Sequence, residues 1–341
     1  MIYLDHAAMT PPLPCAMGAY KNAPIGNPSS EHAVGQAARD ALESAREKIS
    51  SLTGCEPGEV YFTATATEAA ALAISSLRKG NYEVIPTNVE HHAVSENAQG
   101  FARTGLLAYA RMLGQNETGE IFPPPDRTGA ELWLCDATSA VGHIPVSFRQ
   151  LGCDYMIADA IKFGGVSGAA FLIAKKGVPL SPMIFGGGQE RRMRSGTENV
   201  PAICAMAAAL EWQTEHMGGT IAMVTALRDL LVQKLNEIKK HSWNTPLRRP
   251  CLPHILNVSF DGVDAKALAL LLSQDGVMVS PGAACSNGLD EPSHVIMAMY
   301  NDEARARSAI RISLSRENTI DECAAAAEKI KDAVGYLRSL Y

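Results

Sequence analysis

Between residues 60 and 174 short apolar runs alternate with helical segments, and this alternation restricts the chain to few architectures. Residues 60–63, 83–86, 107–112, 132–135, 156–158 and 169–174 read as strands, rich in β-branched and aromatic side chains and closed by turn formers. Helical patterns fall between several of them, at 66–77 and 93–103. Strands that alternate with helices through short connections predict an α/β domain built on a mostly parallel sheet. Ahead of it, Gly26-Asn-Pro-Ser-Ser30 launches an amphipathic helix over 33–52, with Arg39, Glu43 and Arg46 on its solvent side. Thr65 and Glu68 have capping-box spacing and mark the start of the alanine-rich helix after the first of these strands.

The second part of the chain reads differently. A helix from 200 to about 216 meets Gly218-Gly219, and another is expected over 221–240. Strands at 255–260, 277–279 and 311–314 mix with a helix at 265–272 and a last one capped by Thr319-Ile-Asp-Glu322. This predicts a smaller α+β domain. The expected division is 15–218 for the large domain, and 1–14 with 219–341 for the small one.

At 341 residues and net charge −6, with no Lys/Arg block, the chain has no electrostatic footprint for nucleic acid. Its eight cysteines contain no CxxC pair, so neither a zinc site nor a disulfide framework is expected, which fits a reducing cytoplasm. The adjacent His91 and His92 have poor geometry for sharing a metal. No signal peptide and no membrane span are expected, since Met-Ile-Tyr-Leu-Asp-His lacks a basic region and the apolar runs are short.

Chemistry gathers at strand ends. The run 154–161 stops at Lys162, followed by a glycine-rich turn; a partly desolvated lysine amine there is a Schiff-base former, although most strand-end lysines are solvated surface charges. Asp136 closes another strand, where ligands of open α/β sheets bind. Thr67 stands in the first turn of a helix whose free N–H groups favour a phosphate. An amine, an acid and an anion seat together suit pyridoxal phosphate (PLP); the alternative is an assortment of unrelated strand ends.

Longer motifs carry a resemblance. Tyr3-Leu-Asp-His-Ala-Ala8, Gly26-Asn-Pro-Ser-Ser30, Phe62-Thr-Ala-Thr-Ala-Thr-Glu68, Glu90-His91, Asn116-Glu-Thr-Gly119, Asp136-Ala-Thr, the segment 186–200 and the segments 281–286 and 291–295 resemble the cysteine desulfurases, in the class V aminotransferase group of fold-type-I PLP enzymes. The resemblance implies the PLP-dependent transferase fold and a homodimer. It implies conversion of L-cysteine to L-alanine, with the sulfur passed as a persulfide to an acceptor protein or thiol, as in iron–sulfur cluster assembly. By the same resemblance Lys162 is the Schiff-base lysine, Asp136 the partner of the pyridinium nitrogen and His91 the residue that stacks on the ring and shuttles protons. Ala66 and Thr67 cradle the phosphate, with Thr197 of the partner subunit, and Ser139 reaches the ring oxygen. Asn116 and Arg311 grip the substrate carboxylate, and Cys285 is the nucleophile on a mobile loop.

Several positions depart from the family pattern. Asp159 and Ile161 replace a serine and a histidine that reach the phosphate, Ala64-Thr65 replaces Ser-Gly, Ser139 replaces a glutamine, His6 an asparagine and Arg192 a glycine. An aspartate beside a phosphate dianion repels it unless it is protonated, turned away or paired. Weakened PLP binding is therefore expected. The competing readings are another PLP-dependent amino-acid lyase or aminotransferase, and a degenerate homologue that no longer catalyses.

Overall fold

The computed structural model describes residues 1–100, 105–282 and 291–340. The strands among them are, in chain order, β1 (Ile2–Tyr3), β2 (Val60–Thr63), β3 (Tyr82–Pro86), β4 (Leu106–Ala110), β5 (Leu132–Asp136), β6 (Tyr155–Asp159), β7 (Ala170–Ala174), β8 (His241–Trp243), β9 (Ile255–Phe260), β10 (Val277–Met278), β11 (Ser280–Pro281) and β12 (Ala309–Ser313). The chain divides into two compact units: one of Met1–Thr10, Gly114–Ile121 and Met217–Tyr341, the other of Pro11–Leu113 and Phe122–His216. Gly114–Ile121 falls in the first, although its sequence neighbours on both sides belong to the second.

The unit Pro11–Leu113 with Phe122–His216 holds a six-stranded sheet in the order β2-β7-β6-β5-β4-β3. Strands β3 to β6 are parallel, β7 is antiparallel to β6, and β2 is antiparallel to β7. The expected α/β architecture with a mostly parallel sheet is therefore met. Every residue of β6 and β7 is buried, as required of central strands covered on both faces. On one face the helix Ala66–Lys79 brings Ala69, Ala70, Leu72, Ala73, Ile74 and Leu77 into a cluster with Val84, Leu134, Ile157 and Leu172. The strand directions bring the carboxyl ends of β2, β3, β5 and β6 to one edge.

In the other unit an antiparallel sheet runs β11-β12-β9-β8, and β1 pairs in parallel with β10. Helices Ala265–Gln274 and Ile320–Ser339 place Leu268, Leu272, Ile330 and Val334 in one cluster with Val258, Phe260, Ile310 and Ile312. Thr319 and Glu322 form the expected capping box. No helix of the described residues is long and apolar enough to cross a membrane.

Three local expectations are corrected. Gly218-Gly219 does not separate two helices: one helix runs Val200–Leu235. Two glycines disfavour a helix by about 1 kcal/mol each, which helix formers on both sides outweigh. The helix expected at 93–103 is His92–Ala98, with 101–104 outside the described residues. Arg46 is not on the wet side of its helix, Ala33–Thr53; its side chain is 3% exposed and bonded to Glu190.

That glutamate opens a strained turn, in which Glu190, Arg191 and Arg192 have φ of 46°, 54° and 70°. Arg192 stands where the family pattern has glycine, the residue for which left-handed backbone carries no Cβ penalty. Arg192→Gly should raise stability by about 0.5–1 kcal/mol, the relief of the left-handed conformation less the entropy that glycine adds to the unfolded chain. Urea unfolding of the two proteins at equal ionic strength checks it.

Candidate active site

Lys162 ends a short 3-10 turn, Ala160–Lys162, that follows β6 directly. The turn is held from two sides. His143 Nε2 donates to the Lys162 carbonyl at 2.9 Å, and Gln213 Nε2 to the Phe163 carbonyl at 3.1 Å. Lost hydration pushes the His143 pKa down to about 4, so at neutral pH the ring is uncharged. Gly164 next in line has φ of 85°, and a Cβ there would lie 2.7 Å from Leu13 Cγ, so both conformation and space call for glycine. His143 and Gln213 carry no motif of their own, and only the fold reveals their contact with this turn.

Asp136 closes β5 beside β6, its backbone in register with Ile157. It is buried, its carbonyl accepts from Leu113 N and its Oδ1 from Thr138 N at 2.9 Å. Ser139 is buried in the turn that follows. His91 caps the helix His92–Ala98; its Nδ1 accepts from Ala93 N at 3.1 Å, which places the ring proton on Nε2 when the ring is neutral. Asp136 thus ends the parallel strand β5, and Lys162 and His91 follow the carboxyl ends of β6 and β3.

The neighbouring Glu90 explains how the His91 loop is anchored. Its Oε1 accepts from Thr87 Oγ1 at 2.5 Å and from Met112 N at 3.0 Å, tying the chain after β3 to the chain after β4. Burial pushes its pKa up from 4.5 to about 8, and the charge of Asp136 adds to the rise. A proton held more tightly in the folded state stabilises it most below the unfolded value, and the contribution is lost as pH climbs through the folded one. Stability should therefore fall between about pH 4.5 and pH 8. Glu90→Gln, which keeps the acceptor and cannot ionise, should flatten that fall and unfold at higher urea than the parent at pH 8, with little difference at pH 5.

The helix start at Ala66 is the expected phosphate seat, and its donors are largely committed. Ala66 N donates to Asp159 Oδ2 at 2.9 Å, and Glu68 N to Thr65 Oγ1 at 3.2 Å. The Glu68 carboxylate accepts from Ala64 N and pairs with Arg194 at 2.6 Å, in place of the reciprocal half of a capping box. Thr67 is exposed. Asp159 is the last residue of β6, and Ala170 pairs with both Asp159 and Thr63, which brings Asp159 alongside the end of β2. Of the three fates open to this aspartate, pairing is what occurs, with backbone N–H groups as partners. Lys162 and Asp136 therefore fit the ring end of a pyridoxal cofactor, whereas the phosphate end meets a carboxylate. Thr197 is exposed in the segment 186–199.

The other unit holds the remaining candidates. Arg311, in β12, is buried; its Nη2 donates to Asp5 Oδ1 and its Nη1 to the Asn116 carbonyl, both at 2.9 Å. Its Nε is buried with no hydrogen-bond partner among the described residues. Asn116 thus meets Arg311 through its backbone, while its side-chain oxygen accepts from Gln115 Nε2. Asp5 is a partner that sequence reasoning missed, although it stands inside the quoted motif Tyr3-Leu-Asp-His. Cys285 lies outside the described residues.

The family model described as "Aminotransferase class-V" matches residues 2–121 and 102–325, and the chain belongs to this family. Within it, a cysteine desulfurase of Enterobacter agglomerans is 35% identical over 99% of this chain and 94% of its own length. The cysteine desulfurase IscS of Methanosarcina thermophila is 31% identical, covering 99% and 93%. Among solved structures, a NifS-like protein superposes with a TM-score of 0.90 at 31% identity, covering 98% of this chain and 99% of that one. A NifS-like protein from Rickettsia africae gives 0.88 at 25% identity, covering 98% and 99%. The resemblance drawn from the sequence motifs holds.

Proposed function

We propose that the chain is a PLP-dependent cysteine desulfurase. The observation that carries this reading is the placement of Lys162 and Asp136 on one edge of the sheet, in a chain that aligns with cysteine desulfurases over nearly its whole length. In the proposed reaction L-cysteine and the Cys285 thiol give L-alanine and a persulfide on Cys285. The substrate C–S bond breaks, an S–S bond forms, and the released carbon takes up a proton. PLP supplies an electron sink for charge at the substrate Cα.

The chain's own groups divide the remaining work. Lys162 Nζ would hold the cofactor and carry the substrate Cα proton, and the neutral His143 fixes its backbone. His91, with its ring proton on Nε2, is the second proton carrier at this edge. Asp136 would face the ring nitrogen of the cofactor. Arg311 takes the substrate carboxylate through its guanidinium, whose plane Asp5 and the Asn116 carbonyl fix. The partners are a sulfur-acceptor protein or thiol and a second copy of the chain, which supplies Thr197, in the cytoplasm.

Replacing Cys285 by alanine separates this reaction from the aminotransferase reading. A desulfurase loses persulfide transfer, whereas an aminotransferase keeps its turnover. The engagement of Asp159 with the helix start favours a second reading, a homologue with an impaired cofactor seat. Failure of the protein to take up any pyridoxal compound would select it.

A further inference from the structure

The carboxylate at the helix start has a consequence for the form of cofactor this chain prefers, given the function proposed above. Asp159 is 6% exposed, and both its oxygens face backbone donors: Oδ2 accepts from Ala66 N at 2.9 Å and Oδ1 from Ile161 N at 3.3 Å. It closes the start of the helix Ala66–Lys79 and the turn that carries Lys162 at once. The first N–H of a helix is where an incoming phosphate finds its donors. Here a fixed internal anion already sits on it.

We propose that Asp159 holds the anion seat of the cofactor site, so that the chain discriminates against the phosphorylated form of pyridoxal and admits PLP only with uptake of a proton from solvent. A carboxylate and a phosphate dianion cannot share one N–H in a desolvated pocket, because like charges in contact disfavour each other. Once protonated, the same side chain becomes a donor to a phosphate oxygen. The charged groups around it are Lys162 on the same turn, Asp136 at the end of the neighbouring strand and the Glu68–Arg194 ion pair at the helix start. Burial raises the Asp159 pKa against the opposing bonds from Ala66 N and Ile161 N and the charge of Lys162, and Asp136 adds to the rise, so the proton is already held more readily than by a solvated aspartate.

The test compares PLP with pyridoxal, which lacks the phosphate. Each is titrated into the purified full-length protein between pH 7 and 8.5, and its attachment to Lys162 is read by borohydride reduction and mass spectrometry. The PLP-to-pyridoxal affinity ratio cancels what Lys162, Asp136 and His91 contribute to both aldehydes. In the parent protein this ratio should rise as pH falls, by up to about tenfold per pH unit, the limit for uptake of one proton. Asp159→Asn, which keeps an acceptor for Ala66 N without charge, should raise the ratio at least tenfold at pH 8 and abolish its pH dependence. Asp159→Ser provides the same comparison with the residue usual in the family, should the asparagine variant fold poorly. Tight PLP binding by the parent with an unchanged ratio in both variants would overturn the inference and leave the proposed function standing. Absence of label at Lys162 with either aldehyde, in the parent and the variants alike, would overturn both.

Discussion

Lys162→Ala is expected to abolish covalent capture of pyridoxal compounds and to lower L-cysteine turnover by roughly ten-thousandfold, the upper range for a positioned proton carrier. The lysine ends a turn whose backbone is fixed by His143 and Gln213 through the carbonyls of residues 162 and 163. Neither anchor uses the lysine side chain, so the variant should fold with the parent's circular dichroism and unfolding midpoint. It also removes a positive charge that acts on Asp159 and lowers its pKa. The variant should therefore protonate Asp159 at higher pH than the parent does, by carboxyl infrared absorption. Turnover within tenfold of the parent would show that another group moves the proton.

The largest effect on stability is expected from Arg46→Ala. The Arg46 and Glu190 side chains are 3% and 1% exposed, and two hydrogen bonds of 2.7 and 3.0 Å join them. Arg46 also donates to the Val60 carbonyl at 2.8 Å and lies over the Phe62 ring, while Glu190 accepts from Phe62 N at 2.8 Å. Removing the arginine leaves a buried carboxylate without its counter-ion, which costs about 3–5 kcal/mol. Arg46→Met combined with Glu190→Leu should lose less than the two single changes added together, because no charge is then stranded. The urea midpoints of the parent, Arg46→Met, Glu190→Leu and the double variant give the comparison, and Arg46→Ala is measured beside them. Because Glu190 opens the strained turn 190–192, loosening of that segment should appear as faster proteolysis near Arg191 and Arg192.

Much of this architecture is written locally in the sequence. The strands at 60–63, 132–136, 155–159 and 170–174 are short apolar runs closed by polar or turn residues, and their burial follows from composition alone. The strand ends that bear Asp136 and Lys162 are legible for the same reason, since each charged residue interrupts or ends an apolar run. Long-range partnerships are not legible in this way. Arg46 sits at a helix position that spacing assigns to solvent, and only Glu190, 144 residues away, makes its burial tolerable. Asp5 and Arg311 are 306 residues apart. Asp159 was recognisable as foreign to a phosphate site, but its bond to Ala66 N depends on the strand order that sets β6 and β2 on either side of β7. Gly218-Gly219 misleads for the opposite reason: a strong local breaker yields to helix formers on both sides of it.

The most direct test of the proposed activity is the product balance from L-cysteine with protein supplied with excess PLP. Equimolar L-alanine and sulfane sulfur on the protein, both lost in Cys285→Ala, is the expected result. Pyruvate with ammonia and sulfide, or a keto acid formed without alanine, would contradict it and assign the chain a different reaction within its family.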